Sequence, residues 1–211
     1  MENHDLSARN IPETAKPANN LEPKKGEHCI AVDATGFGTQ NYVRWRSQQP
    51  GHFRQHDWLK LHVAVTSVLK AIHSMEITDA YQSDAVQLGN LLQSLHIDDI
   101  EAVTADSAYL SRRNCDIVEA IGAKPFIKLK RNVKGKSHGS KAWKNMVHDY
   151  RRNPEEWKQK YHFRSSAESA FSALKRKFGY RLSAIRKDLQ RKELMTKVIA
   201  YNLNILARTS I

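Results

Sequence analysis

Two short apolar runs in this chain each end in an aspartate: Cys29-Ile-Ala-Val-Asp33 and Ile100-Glu-Ala-Val-Thr-Ala-Asp106. Apolar runs this short, rich in branched residues and bounded by turn signals, read as buried strands. Thr35-Gly36 after the first run reads as the turn that ends it. In an open α/β sheet, ligands gather outside the carboxyl ends of the strands. If the two strands are neighbours, their aspartates converge there.

The rest of the chain supplies the partners such strands need. Lys60-Leu-His-Val-Ala-Val-Thr66 alternates, and Ala71-Ile-His-Ser-Met-Glu-Ile-Thr78 follows after a short linker, which implies an antiparallel hairpin. Residues 83–95 shift to helical spacing, with Val86, Leu88, Leu91, Leu92 and Leu95 apolar and Ser83 or Asp84 as cap. A helix over 111–121 closes at Gly122, and Pro125-Phe-Ile-Lys-Leu129 is a fifth strand. Residues 141–161 carry Trp143 and Trp157 in helical pieces broken at Pro154, and helices over 165–178 and 191–207 follow. The class is α/β: three antiparallel strands, then alternating helices and strands, in a mixed sheet with helices on both faces. This is the element order of the ribonuclease-H-like fold.

Charge narrows the function classes. The 211 residues hold 34 Lys and Arg against 22 Asp and Glu, a net charge of +12. That excess favours a polyanionic partner, because each cation set against a phosphate releases counterions. No apolar run approaches the ~18 residues of a spanning helix, so no membrane partner is expected. The leader, residues 1–28, is polar and broken by Pro12, Pro17 and Pro23. It reads as a disordered tail or linker without the apolar stretch of a signal peptide, and the expected location is cytoplasmic. Cys29 and Cys115 form no CxxC and no zinc spacing, and read as reduced thiols of which one or both are buried. His52, His56 and His62 lack a fourth ligand at zinc spacing.

A third carboxylate joins the two aspartates. In Tyr161-x2-Arg164-x3-Glu168-x6-Lys175, the four side chains fall within an arc of roughly 60° on one helical face, while Ala167, Phe171, Leu174 and Phe178 form an adjacent apolar stripe. Carboxylates with open water positions suit Mg2+. Bland alternatives stay open. Each aspartate can cap a turn, and Ser165-Ser-Ala-Glu168 matches a capping box in which Glu168 returns to the Ser165 amide. The cluster Lys128, Lys130, Arg131, Lys134, Lys136 and Lys141 is either a DNA path or a solvated loop. Trp143 and Trp157 either pack or stack on an unpaired base.

These motifs resemble the catalytic domain of DDE transposases from prokaryotic insertion sequences, groups four and five. Asp33-Ala34-Thr35-Gly36 is similar to the family's Asp-x-Thr-Gly, Asp106-Ser107-Ala108-Tyr109 to its Asp-x-Gly/Ala-Tyr/Phe, and Tyr161, Arg164, Glu168 and Lys175 to its Tyr-x2-Arg-x3-Glu-x6-Lys signature. The flanks Lys60-Leu-His62, Phe171 to Gly179 and Tyr201-Asn-Leu203 also look familiar. The resemblance implies that Asp33, Asp106 and Glu168 are catalytic and hold two Mg2+ ions, with Mn2+ able to substitute. It implies DNA contacts by Tyr161, Arg164 and Lys175, to which Lys130, Arg131 and Lys134 add the basic loop. The implied partner is double-stranded DNA, both transposon ends and target, bound by a homodimer in a synaptic complex near the nucleoid. Such enzymes carry an N-terminal helical DNA-binding region, and only 28 residues precede the first strand here. The expectation is a leader (1–28) and a catalytic domain (29–208) with a short basic, Trp-containing insertion at about 130–160. It would be a truncated or split-frame product whose N-terminal part is separately encoded. The alternatives are an inactive DNA-binding remnant and another ribonuclease-H-like nuclease.

Overall fold

The computed structural model describes residues 29–39, 58–95, 97 and 99–209. The leader, His52 and His56 lie outside the described residues. The elements are β1 (Cys29–Thr39), β2 (Trp58–Thr66), β3 (Ile72–Asp79), α1 (Asp84–Gln93), β4 (Ala102–Ala105), α2 (Arg112–Ala120), β5 (Lys124–Ile127), α3 (Lys141–Arg152), α4 (Pro154–Tyr161), α5 (Ser165–Phe178), β6 (Arg181–Leu182) and α6 (Lys187–Thr209). Among the described residues no helix is long and apolar enough to cross a membrane.

The strands form one mixed sheet in the order β3-β2-β1-β4-β5, with β6 pairing to the far end of β1. β1, β2 and β3 are antiparallel; β1, β4 and β5 are parallel. β1 is central, and the buried residues at its start face both layers, which is why it reads as a continuous apolar run rather than an alternating one.

Helices cover both faces. Ile30, Val32, Val103, Ala105 and Ile127 pack under Leu88 and Leu91 of α1, Cys115 and Val118 of α2, and Trp143 and Met146 of α3. Ala31, Phe37, Leu61, Val63 and Val65 pack under Ala170, Phe171 and Leu174 of α5 and Leu194, Val198 and Tyr201 of α6. Each fully buried large side chain contributes about 1.5–3 kcal/mol. α6 is also stapled to the edge of the sheet: Asn202 pairs both ways with the Ile72 backbone, and Tyr201 Oη donates to the Lys70 carbonyl.

The structure corrects some local expectations and bears out others. β1 does not turn at Thr35-Gly36 but runs on to Thr39. Gly36 serves a close approach instead, since a Cβ there would lie 2.4 Å from Cε3 of Trp58. Ser83 occupies the N-cap of α1 without a side-chain cap bond, and Val86 is exposed. Pro154 opens α4 at its first turn, where the missing N–H costs nothing. α6 starts four residues before Arg191, at Lys187. Trp143 and Trp157 are both buried in packing.

Candidate active site

The parallel register of β1 and β4 pairs Val32 with Ala105, so the next residues, Asp33 and Asp106, stand side by side where the two strands finish pairing. Adjacent strands lie about 4.8 Å apart. Side chains alternate along a strand, so Asp33 shares the face of Ala31, which lies under α5 and α6. Asp106 falls on the same face by the same register.

The third segment arrives from α5. Tyr161, His162, Arg164 and Ser165 keep right-handed helical backbone angles through a 3-10 step, so the run from α4 into α5 is helical without a break. No helix starts afresh at Ser165, and the capping box does not form. Glu168 instead accepts from Nη2 of Arg164 one turn earlier. The other fork of that guanidinium, Nη1, donates to Asp33 Oδ2 at 2.8 Å. Asp33 Oδ1 accepts from the Ala34 N–H at 2.8 Å. The Tyr161 ring lies 5.8 Å from the Arg164 guanidinium. Two turns on, Lys175 Nζ donates to Thr35 Oγ1 at 2.6 Å and lies 5.3 Å from the Phe37 ring centre. The third motif thus closes on the first at two points.

Electrostatics mark the centre. Burial pushes the Asp33 carboxyl above its ordinary range, and the charges of Asp106 and Glu168 add to the rise, against the pull of the Ala34 N–H and Arg164. Burial likewise raises the Tyr161 phenol and lowers the Lys175 ammonium. Three carboxylates are hard oxygen donors of the kind a divalent cation such as Mg2+ takes. In the described arrangement Arg164 stands between Asp33 and Glu168, and no three Asp, Glu, His or Cys side chains among the described residues converge on one metal position.

The basic loop leaves β5 at the same end of the sheet as the aspartates, two strands from β1. Lys130, Arg131 and Lys134 are exposed. The loop backbone is pinned beneath them: Trp143 Nε1 donates to the Lys134 carbonyl at 3.1 Å, Arg112 Nε to that of Ser137 at 3.1 Å, and Arg151 to that of Val133 at 3.2 Å. No bond joins this loop to Asp33, Asp106 or Glu168 among the described residues. Trp157 stacks on Tyr161 with ring centres 5.1 Å apart, so its packing reaches the site through the tyrosine. Sequence reasoning missed Thr35 as the partner of Lys175, although it stands within the first motif. His62, read as a strand-face histidine that could line the cleft, instead lies fully buried on the sheet face away from Asp33 and bonded to Tyr109.

Aspartates on neighbouring parallel strands, faced by a helix that presents Glu, Arg and Lys, define an α/β protein with acidic side chains where its central parallel strands finish pairing. Over residues 24–203 the chain matches the family described as transposase DDE domain, and it belongs to that family. Among solved structures, the catalytic core domain of BIV integrase is similar over 68% of this chain and 80% of that chain, at 12% identity and a TM-score of 0.32, too distant a likeness to define the fold.

Proposed function

We propose that the chain is the catalytic domain of a DDE transposase of insertion-sequence groups four and five, on a ribonuclease-H-like fold, cleaving and transferring DNA strands at transposon ends. The observation that carries this reading is the placement of Asp33 and Asp106 just past the last paired residues of the parallel strands β1 and β4, with Glu168 joined to Asp33 through one guanidinium. Asp33, Asp106 and Glu168 would hold two divalent ions, Mg2+ with Mn2+ as substitute. Bound ions of this kind activate a water or 3′-hydroxyl and stabilise the leaving oxygen of an in-line displacement.

The chain's own side chains bind and orient the DNA. Arg164 offers a planar fork suited to a phosphate, and Lys175 a point charge beside Thr35. Tyr161, on the same face, contacts a phosphate or the terminal base. Lys130, Arg131 and Lys134 extend the path of the duplex beyond β5. A homodimer around paired ends completes the proposal.

The test is nicking of supercoiled plasmid in Mg2+ or Mn2+ by wild type and Glu168→Ala at equal fold content. Metal-dependent nicking lost in the variant is the expected result. Nicking that survives the substitution overturns the assignment of Glu168. A folded wild type that binds DNA and Mn2+ but never nicks favours an inactive remnant.

A further inference from the structure

The two aspartates are held in different ways. Asp33 lies within β1, and both its oxygens are bonded. Asp106 lies one residue beyond β4, and no hydrogen bond among the described residues holds its carboxylate. Its aim therefore depends on the turn that carries it.

That turn is a single 3-10 step over Ser107–Tyr109, in which the Tyr109 N–H donates to the Asp106 carbonyl at 3.0 Å. Tyr109 anchors the turn at two points. Its carbonyl accepts from Asn114 Nδ2 at 2.7 Å, and that amide also donates to the Ala85 carbonyl at 2.8 Å, tying the turn to α2 and α1. Its hydroxyl lies 3.1 Å from Nδ1 of His62. The Nε2 of His62 lies 2.9 Å from Thr78 Oγ1 on β3.

His62 is fully buried in the middle of β2, opposite Ala34, on the sheet face away from Asp33. A polar ring in such a place costs free energy unless both nitrogens are satisfied, and an apolar side chain would fill the space more cheaply. Both nitrogens are satisfied, and by hydroxyls that can each donate or accept, so a neutral ring fits either tautomer. The result is a chain of bonds, Thr78 to His62 to Tyr109, running from the edge of the sheet to the turn that bears Asp106.

We propose that His62 and Tyr109 are positioning residues that fix the Asp106 carboxylate beside Asp33. The proposal rests on the reading of Asp106 as a metal-binding carboxylate. It predicts that removing one phenolic oxygen, remote from DNA, loosens the grip on a divalent ion.

The experiment is Mn2+ binding to the full chain, followed by the electron paramagnetic resonance signal of free Mn2+, for wild type, Tyr109→Phe, His62→Leu, His62→Asn and Asp106→Ala. Circular dichroism and DNA-binding isotherms run alongside. Tyr109→Phe keeps the ring and the core, and should weaken Mn2+ binding about tenfold with DNA affinity unchanged. His62→Leu should do the same. His62→Asn, which can still reach the Tyr109 hydroxyl, should recover most of the loss. Unaltered Mn2+ affinity in Tyr109→Phe, while Asp106→Ala loses it, overturns the positioning role and leaves the metal reading standing. Unaltered affinity in Asp106→Ala overturns both. Equal losses in His62→Asn and His62→Leu, or parallel losses of DNA binding, reduce the pair to ordinary core packing and also overturn the proposal.

Discussion

Arg164 donates to the Asp33 carboxylate at 2.8 Å across 131 positions of sequence, and the bond joins the helical layer to the central strand. Both side chains are largely shielded from water, so the pair is worth more than a surface ion pair. The second arm of the same guanidinium takes Glu168, which makes Arg164 the counter-ion for two carboxylates at once.

Removing that counter-ion leaves Asp33 buried against two like charges. Arg164→Ala should destabilise the fold by about 1–3 kcal/mol in urea unfolding at neutral pH. Arg164→Lys should recover less than half, because an ammonium cannot fork to both partners. On the proposed function, millimolar Mn2+ should raise the midpoint of Arg164→Ala more than that of wild type. Equal stability of wild type and Arg164→Ala would deny the bridge any energetic role.

Much of this arrangement was legible in the residues, and some was not. The buried runs ending in Asp33 and Asp106 gave both strands and their convergence, because a central strand covered on both faces has few alternatives. The spacing from Tyr161 to Lys175 placed one face of a helix. Yet spacing could not show that the face would close onto β1, since no local rule links Arg164 to Asp33 or Lys175 to Thr35. The capping box at Ser165 was a fair local reading that lost to tertiary context: the helical backbone passes through Arg164, and Glu168 finds a guanidinium instead of an amide. β6, with two residues, is too short to show any period. Gly36 was read as a turn because glycine signals both turns and close approaches, and only the Trp58 ring across the hairpin tells them apart.

Gly36→Ala tests that last distinction. The new methyl would meet ring carbons of Trp58 at 2.4 and 2.7 Å, so the ring or the strand must move. A cost of about 1–3 kcal/mol is expected, as for other overpacked sites. Trp58→Leu in the same chain should recover most of it. No change in the urea midpoint of Gly36→Ala would show that the ring has free space to shift.

Lys175 and Thr35 separate charge from geometry. Lys175→Ala should weaken DNA binding and reduce the slope of log affinity against log salt by about 0.9, one phosphate contact. Thr35→Val removes the acceptor bonded to Lys175 Nζ and keeps the charge. It should therefore change affinity without changing the slope. Fluorescence anisotropy across a salt series reads both, and an unaltered slope for Lys175→Ala would remove its phosphate role.

His62 carries a pH signature. Burial, the largest cause, lowers its pKa from 6.5 to about 4; Asp84 opposes the shift and Lys60 adds to it. The groups facing the ring are Tyr109, Thr78 and Asp84, whose Oδ1 stands 3.9 Å from Nδ1 and is itself paired with Lys60 at 2.7 Å. Between pH 6.5 and about 4 the unfolded chain binds a proton that the folded chain refuses. Stability from this group is therefore complete above pH 6.5 and falls as pH drops toward 4, by on the order of 3 kcal/mol. Asp33 works the other way, since its raised carboxyl pKa favours the folded state as it takes up a proton. Comparing wild type with His62→Asn cancels that contribution. His62→Asn should be less stable at pH 7 and show a flatter decline on acidification. Parallel urea-unfolding profiles for the two proteins from pH 7 to 4.5 would mean that the buried ring accepts its proton as readily as the unfolded one.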